Sequence, residues 1–283
     1  MTTAHGYHTG VGRLRLHYRT WEVADPAAAL LMVHGLGEHG GRYAELAGWL
    51  TGHHISSFAV DVRGHGHSEG RRGHVRRFDV LLQDLDRFRR EVRGLVDAGV
   101  PLFLLGHSMG GLILLRYLEE YEARCQGAVL SSPWLGTAMP TPRWKITVGG
   151  LLDRVLPAFP LKTGLRPDDL SHDPAVVQAY REDPLVHDRI TPRLYFEMST
   201  AMGQATQRSD RLKVPLLFLL AGEDRLVDTA KSRSFASSLE GDVQVEVVEG
   251  AYHEVLGETD RTVTFGLLKD WILDRADAPA ESA

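Results

Sequence analysis

The stretch LFLLGHSMGGLILL, residues 102–115, places a small polar residue, Ser108, between two strongly apolar runs. Its centre has the pattern G-x-S-x-G, with Gly106 and Gly110 two positions to either side of the serine. The first apolar run predicts a buried strand, and the second predicts a helix that begins near Gly110. A nucleophilic serine between a strand and a helix projects from a sharp, strained turn, where side chains at the two flanking positions would collide with neighbouring backbone. The stretch therefore predicts that Ser108 is an exposed nucleophile.

Apolar runs rich in Val, Leu, Ile and Phe alternate with helical patterns along the rest of the chain. Several runs lack polar alternation, which is typical of strands buried on both faces of a parallel sheet. Residues 10–23 do alternate, which predicts an antiparallel edge strand or a hairpin. The whole pattern predicts an α/β fold with an open sheet and helices on both faces. The predicted strands are residues 29–35, 55–62, 101–108, 127–133, 215–224 and 243–250, and the predicted helices are 78–96, 110–121, 232–239 and 261–273.

One long region interrupts this alternation. Residues 134–210 show no strand pattern, and Pro and Trp are frequent there. The composition predicts a mostly helical cap inserted between two strands of the sheet. We therefore divide the chain into a first core part at 1–133, a cap at 134–210, a second core part at 211–275 and a disordered tail at 276–283.

The composition is that of a globular protein. The chain has 283 residues, of which 43% are hydrophobic and 24% charged, which fits one large domain with an insertion. A net charge of −5 gives no general attraction for nucleic acid, and the single cysteine, Cys125, excludes an internal disulfide. The first ten residues lack a secretory pattern, and no apolar run reaches the roughly 20 residues that span a bilayer. We expect a cytoplasmic protein without a nucleic-acid partner.

A serine nucleophile of this kind is followed along the chain by an acid and then by a histidine. Asp224 comes at the end of a predicted strand and is the preferred acid, with Glu223 and Asp228 as alternatives. Asp228 also fits the N-cap of a following helix. His253 is the only histidine beyond Asp224, and it too follows a predicted strand. We expect His253 to act as the general base that Asp224 orients.

Two backbone N–H groups would have to stabilise the oxyanion that forms when the serine attacks a carbonyl. Met109, the residue after the nucleophile, supplies one of them, and Leu36 is the candidate for the other because glycines flank it. His34, two residues before Leu36, is interpreted as a structural hydrogen-bonding residue rather than an acid–base group.

Neither a metal nor a cofactor is expected. His65 and His67, with Glu69 nearby, could hold a metal, but their segment has the composition of a glycine-rich turn. The glycines from Gly35 to Gly41 do not form a dinucleotide-binding pattern that runs into a helix.

Seven motifs together resemble the monoacylglycerol lipase and lysophospholipase-like group of the α/β-hydrolase superfamily. The resemblance covers roughly residues 10–275 and implies an eight-stranded, mostly parallel sheet with the cap inserted after the sixth strand. It also implies hydrolysis of single-chain lipid esters through an acyl-enzyme intermediate, with Ser108, Asp224 and His253 as the triad and Leu36 and Met109 as the oxyanion donors. The motifs are HGLGEHGGRY (34–43), DVRGHGHSEGRRGHV (61–75), GHSMGG (106–111), LSSP (130–133), DPLV (183–186), AGEDRLVD (221–228) and EGAYHE (249–254).

The same resemblance implies that Glu38 and Arg42 bind the substrate's head group. In mammalian members a second histidine follows three residues after the catalytic one, but this chain has Leu256 there, which puts glycerol recognition in doubt. From the residues alone, Glu38 could equally cap a helix starting near Arg42. The cap is expected either to line an acyl site and touch a membrane surface, or merely to shield the active site.

Other reactions of the same triad stay open, since a fold does not determine a substrate. They are those of a lysophospholipase, a broad carboxylesterase, a thioesterase, a C–C bond hydrolase, or an amidase or peptidase. A ligand-binding protein that kept the fold without the chemistry is the remote alternative. The oligomeric state is left open.

Overall fold

A computed structural model describes residues 2–121, 125–138 and 141–276. The predicted disordered tail lies outside the described residues except for Ala276, which ends the last helix. Eight strands form one sheet in the order β1-β2-β4-β3-β5-β6-β9-β10, and the short β7 and β8 pair separately. The strands are β1 (Thr2–Thr9), β2 (Arg15–Glu22), β3 (Ala28–Val33), β4 (Ile55–Val60), β5 (Leu102–His107), β6 (Gly127–Ser131), β7 (Leu161–Lys162), β8 (Arg189–Ile190), β9 (Leu216–Ala221) and β10 (Val243–Val248).

In the main sheet, the neighbouring strands β4, β3, β5, β6, β9 and β10 pair in parallel, whereas β2 pairs antiparallel with both β1 and β4. Every residue of β3, β4, β5, β6 and β9 is buried, because these strands carry helices on both faces of the sheet. One apolar core contains side chains from α2, α3, α6 and α7, and the other contains side chains from α1 and α8. The helices are α1 (Ala44–Thr51), α2 (Asp79–Leu95), α3 (Met109–Glu120), α4 (Arg143–Val155), α5 (Pro174–Glu182), α6 (Pro192–Ala205), α7 (Thr229–Ser237) and α8 (Arg261–Ala276).

The predicted fold class is confirmed, with one error at the edge of the sheet. The edge strand is β1, whereas residues 10–23 supply only β2, the second strand of the hairpin. The sequence of β1, TTAHGYHT, is polar and mostly exposed, so it carries no apolar signal that would have predicted a strand.

The chain between β6 and β9 carries α4, α5 and α6. Within residues 132–138 and 141–215, no strand joins the main sheet. Helix α6 packs on α3 through the apolar core, whereas α4 has no buried residue. The division into core and cap at residues 134 and 210 stays a prediction. None of the helices within the described ranges is long and apolar enough to span a membrane.

The turn between β5 and α3 is strained at Ser108. This residue has φ 53° and ψ −116°, a conformation that a residue with a side chain rarely adopts and that costs of order 1–3 kcal/mol. Its N–H donates to Ser131 O at 2.9 Å, and its carbonyl accepts from the N–H groups of Leu112 at 3.1 Å and Trp134 at 3.0 Å. These bonds fix the strained turn between β6 and the first turn of α3.

The glycines around the serine are required for close backbone contact. A Cβ at Gly106 would lie 2.4 Å from Gly110 O, and a Cβ at Gly110 would lie 2.2 Å from Val33 O. The predicted steric reason for the G-x-S-x-G pattern is therefore confirmed.

We predict that Gly110→Ala lowers the free energy of unfolding by about 1–3 kcal/mol, because the added methyl group overlaps the carbonyl of Val33. The matched control is Gly48→Ala in α1, where a Cβ meets no atom within 4 Å. That change should stabilise the protein by roughly 0.5–1 kcal/mol, since alanine is the better helix former. Urea denaturation followed by circular dichroism measures both. Equal effects of the two substitutions would contradict the steric explanation.

Candidate active site

The candidate nucleophile, acid and base follow three parallel strands at the same edge of the sheet. Ser108 follows β5, Asp224 follows β9 and His253 follows β10. Loops after parallel strands meet at the carboxyl edge of a sheet, which is where ligands bind in open α/β folds. The fold thus brings together three residues that are far apart in the sequence.

Asp224 is buried in the acid loop, residues 222–228. Its Oδ1 accepts hydrogen bonds from the N–H groups of Leu226 and Val227, both at 2.8 Å, and its Oδ2 lies 2.7 Å from His253 Nδ1. The alternative acid Asp228 instead caps α7 by accepting from Lys231 N–H at 3.1 Å, as its N-cap interpretation predicted. Of the two aspartates, only Asp224 is hydrogen-bonded to the histidine.

His253 lies in the histidine loop, residues 249–260. Since a carboxylate only accepts, His253 Nδ1 carries the proton toward Asp224, and Nε2 is left as the basic nitrogen. The buried imidazole ring lies 4.8 Å, centroid to centroid, from the ring of His107, the residue before Ser108. Among the described residues, Ser108 Oγ and His253 Nε2 form no hydrogen bond. Catalytic hydrogen bonds are often long in a free enzyme and tighten when substrate binds.

The acid and the base shift each other's pKa in opposite directions. Burial raises the pKa of Asp224, but the imidazole of His253 and the hydrogen bonds to the carboxylate outweigh this and lower that pKa. Burial lowers the pKa of His253, but the Asp224 carboxylate, with Glu254 and Glu38 beyond it, raises the pKa above 6.5. The pair is therefore arranged to stabilise an imidazolium.

Two backbone N–H groups near the serine have no acceptor among the described residues. Within the described part of the chain, the N–H groups of Leu36 and Met109 donate no hydrogen bond. Met109 is the first residue of α3, where N–H groups lack intrahelical partners. Leu36 belongs to the oxyanion loop, residues 34–39, in which a Cβ at Gly35 would lie 3.2 Å from Ser108 Cβ. Both predicted oxyanion donors are thus unpaired, and the loop contacts the nucleophile.

Glu38 is buried within the oxyanion loop and does not cap a helix. Its Oε1 accepts from Gly35 N–H at 2.6 Å and from Tyr43 Oη at 3.2 Å. The short helix at Gly40–Tyr43 is capped by His39, whose Nδ1 accepts from Gly41 N–H. The capping interpretation of Glu38 is therefore wrong: its carboxylate binds the His34–Gly35 peptide, one peptide before the one that carries the Leu36 N–H.

Arg42 is engaged by two carboxylates. Its Nη1 donates to Glu38 Oε2 at 2.8 Å and to Glu254 Oε1 at 2.6 Å, and its Nη2 donates to Glu254 Oε2 at 2.8 Å. The guanidinium also lies over the ring of Tyr180, 4.9 Å from its centroid. The structure thus brings Glu38 and Arg42 together, although their contact with a head group stays a prediction.

His34, His65 and His67 were also singled out from the sequence, and within the described residues none of the three is hydrogen-bonded to the acid–base pair. His34 Nδ1 lies 2.7 Å from Gly35 O, and its Nε2 accepts from Val62 N–H at 2.8 Å, which confirms its structural interpretation. Burial lowers the pKa of His34, so the ring stays neutral. His65 is buried and packs between the tilted rings of His34 and His187, with ring centroids 5.2 and 4.7 Å away, whereas His67 is exposed. The two candidate metal ligands therefore occupy different surroundings.

Reasoning from the sequence missed the ion pair of Glu254 with Arg42, although Glu254 directly follows His253. It also missed that residues 170–172 hold the histidine loop: Glu254 N–H donates to Leu170 O at 2.9 Å, and Ser171 Oγ donates to Gly257 O at 2.8 Å. Position beside the candidate base His253 was the only available signal, because the partners lie far away in the chain.

Comparison with known proteins gives a family match. Residues 24–260 match the Hydrolase_4 family, described as serine aminopeptidase, S33. A monoacylglycerol lipase of Mycolicibacterium smegmatis is 33% identical over 273 residues, 93% of this chain and 95% of that protein. Phospholipase YtpA of Bacillus subtilis is 31% identical over 255 residues, covering 87% of this chain and 95% of that protein.

A solved structure shows the same fold at comparable identity. The crystal structure of Paleococcus ferrophilus monoacylglycerol lipase superposes with a TM-score of 0.83 and 33% identity, covering 92% of this chain and 99% of that chain. The predicted resemblance to the monoacylglycerol lipase group is confirmed by these similarities.

We predict that kcat/KM for an uncharged ester falls as the pH drops through a midpoint above 6.5, because protonated His253 cannot accept the serine proton. Asp224→Asn should lower kcat by about 10⁴-fold, as loss of the orienting acid does in serine proteases. Asp228→Asn, on the same loop, is the control and should leave kcat and the midpoint near wild type. A midpoint at or below 6.5, or a loss in both variants alike, would rule out this assignment. Initial rates between pH 5 and 9 supply the measurement.

Proposed function

Because this chain belongs to the Hydrolase_4 family of serine hydrolases, we propose that it hydrolyses monoacylglycerols or similar single-chain lipid esters. The observation that carries the proposal is the Asp224–His253 hydrogen bond at the sheet edge that also presents Ser108. Two relatives named for lipid esterase activity, a monoacylglycerol lipase and a phospholipase, support a lipid substrate.

In the proposed mechanism, His253 Nε2 takes the proton of Ser108 as Oγ attacks the ester carbonyl. The Leu36 and Met109 N–H groups donate to the oxyanion, and each such donor contributes roughly 2.7–4 kcal/mol in known hydrolases. Collapse of this intermediate expels the alcohol, to which His253 returns the proton, and leaves an acyl-enzyme. Water then attacks the acyl-enzyme with the same base and releases the fatty acid.

Helix α4 supports contact with a lipid surface. Trp144, Val148, Leu151 and Val155 recur at helical spacing, so they lie on one face of the helix. They are all exposed, with Trp144 at 65%, Leu151 at 64% and Val155 at 67%. An amphipathic helix of this kind binds in the plane of a membrane surface through its apolar face. This contact favours access to lipid substrate over simple shielding. The expected cytoplasmic location stays a prediction.

The head group is the least constrained part of the substrate. Both terminal nitrogens of Arg42 already donate, in three hydrogen bonds, to Glu38 and Glu254. Leu256 stands where mammalian members of the group have a second histidine. We therefore propose that affinity comes mainly from the acyl chain, since each buried methylene contributes about 0.8 kcal/mol.

We predict that a fluorophosphonate labels the wild-type protein at Ser108 and that Ser108→Ala abolishes labelling, because only an activated serine attacks the reagent. Mass spectrometry of the labelled peptide identifies the residue. Ser132→Ala is the matched control, since Ser132 is also a serine with positive φ near this sheet edge but precedes no helix. Labelling of Ser108→Ala at the wild-type rate would refute the proposal.

The same preparations should be assayed with monoacylglycerols, lysophospholipids, acyl thioesters, aminoacyl amides and short esters. A higher kcat/KM for monoacylglycerols supports the proposed substrate. A preference for lysophospholipids, thioesters or amides would replace it with the corresponding alternative, and no turnover despite labelling would overturn lipid ester hydrolysis.

We predict that Leu151→Ser with Val155→Ser lowers binding to phosphatidylcholine vesicles by at least about tenfold, because about 1.4 kcal/mol or more of apolar transfer energy is lost. Hydrolysis of p-nitrophenyl butyrate in solution should be unaffected. Val263→Ser is the control, since Val263 is 66% exposed but lies on α8. Vesicle flotation measures binding. Wild-type binding by the double variant would exclude α4 as the contact surface.

A further inference from the structure

A pair of charged side chains, Glu254 and Arg42, joins the histidine loop to the short helix Gly40–Tyr43 that follows the oxyanion loop. Both carboxylate oxygens of Glu254 accept from Arg42, at 2.6 and 2.8 Å, in the planar two-bond geometry that makes arginine–carboxylate pairs strong. The two residues are 212 positions apart in the chain, and both are largely buried. Such a pair holds its partners in a defined geometry because water screens it little.

The connection continues to the oxyanion donor. Arg42 also donates to Glu38 at 2.8 Å, and Glu38 accepts from Gly35 N–H at 2.6 Å, one residue before Leu36. A single chain of charge-assisted hydrogen bonds thus runs from the residue after His253 to the N–H of Gly35, the residue before Leu36.

We propose that Glu254 is a positioning residue, which holds His253 and the Leu36 N–H group in register with each other through Arg42. This inference rests on the proposed ester hydrolysis, in which His253 and Leu36 act on the same tetrahedral intermediate. Glu254 itself does not touch the reacting atoms. Misplacement of such groups by about 1 Å can reduce a rate by about 100-fold.

The backbone of the histidine loop has anchors that do not involve the Glu254 side chain. Glu254 N–H donates to Leu170 O, Gly257 N–H donates to Glu254 O at 2.7 Å, and Tyr252 N–H donates to a Glu258 carboxylate oxygen at 2.7 Å. These bonds remain when the carboxylate is neutralised. The loop should therefore stay folded while its register with the oxyanion loop loosens.

The charge of Glu254 gives a second, independent readout. His253 is surrounded by the carboxylates of Asp224, Glu254 and Glu38, by Arg42 beyond them, and by the ring of His107, which burial keeps neutral with a pKa of about 4. Removing the negative charge of Glu254 destabilises the imidazolium and lowers the pKa of His253. The acidic limb of the kcat/KM profile should then move to lower pH.

The experiment compares Glu254→Gln and Glu254→Asp in the full chain, with a soluble p-nitrophenyl ester as the substrate. Glu254→Gln should lower kcat by about 10- to 100-fold, with little change in KM, and move the acidic limb to lower pH. Glu254→Asp keeps the charge but is one methylene shorter. It should also lower kcat while leaving the acidic limb where the wild type has it.

The matched control is Asp242→Asn. Both carboxylate oxygens of Asp242 also accept from one arginine, Arg275, through its Nε and Nη2 at 2.9 Å each, but at the opposite end of β10. This variant should keep the wild-type kcat and pH profile. Circular dichroism at the assay temperature gives the folded fraction of every variant.

Wild-type kcat in Glu254→Gln, or an unmoved acidic limb, would overturn the proposal. A fall in kcat that matches a fall in the folded fraction would overturn it as well, because Glu254 would then have a purely structural role. If the wild type neither hydrolyses esters nor reacts with a fluorophosphonate, the proposed function fails instead, and the two failures are thus distinguishable.

Discussion

The backbone strain at Ser108 is the constraint on which the rest of the site depends. A serine with φ 53° persists only where the surroundings determine it fully, and here backbone bonds to β6, α3 and Trp134 do so. The glycines permit α3 to start against the carbonyl of Val33, which places the unpaired N–H of Met109 beside the nucleophile. The same close packing therefore places the half-buried serine beside one candidate oxyanion donor.

The sheet then supplies the other groups through its topology. Parallel strands end at one edge of the sheet, so the loops after β3, β5, β9 and β10 converge there although they are far apart in the sequence. Convergence alone does not fix side chains to within a fraction of an ångström. Hydrogen bonds between the loops do this: Glu223 N–H donates to Ala251 O at 2.9 Å, and Asp224 holds His253.

What the sequence could predict depends on how local each signal is. The strand–turn–helix at Ser108, the apolar strands and the helix over 78–96 are encoded within a few residues, and all were predicted with small errors at their ends. The polar strand β1 was missed because its composition gives no strand signal. It is a strand because it pairs with β2. The role of Glu38 was left open between a helix cap and a head-group contact, because several local partners were available to it and its actual bonds to Gly35, Arg42 and Tyr43 depend on how the loop folds. Glu254 was overlooked because its partner Arg42 lies 212 positions away in the chain.

On the proposed mechanism, the buried charges favour both the tetrahedral intermediates and the release of the fatty acid product. Three carboxylates, those of Asp224, Glu38 and Glu254, lie around His253, and Arg42 balances only one of them. The excess negative charge stabilises the imidazolium that accompanies each tetrahedral intermediate. It also disfavours retention of a fatty acid carboxylate, because like charges repel strongly where water is largely excluded. On the proposed mechanism, the field that activates the serine therefore also promotes release of the product.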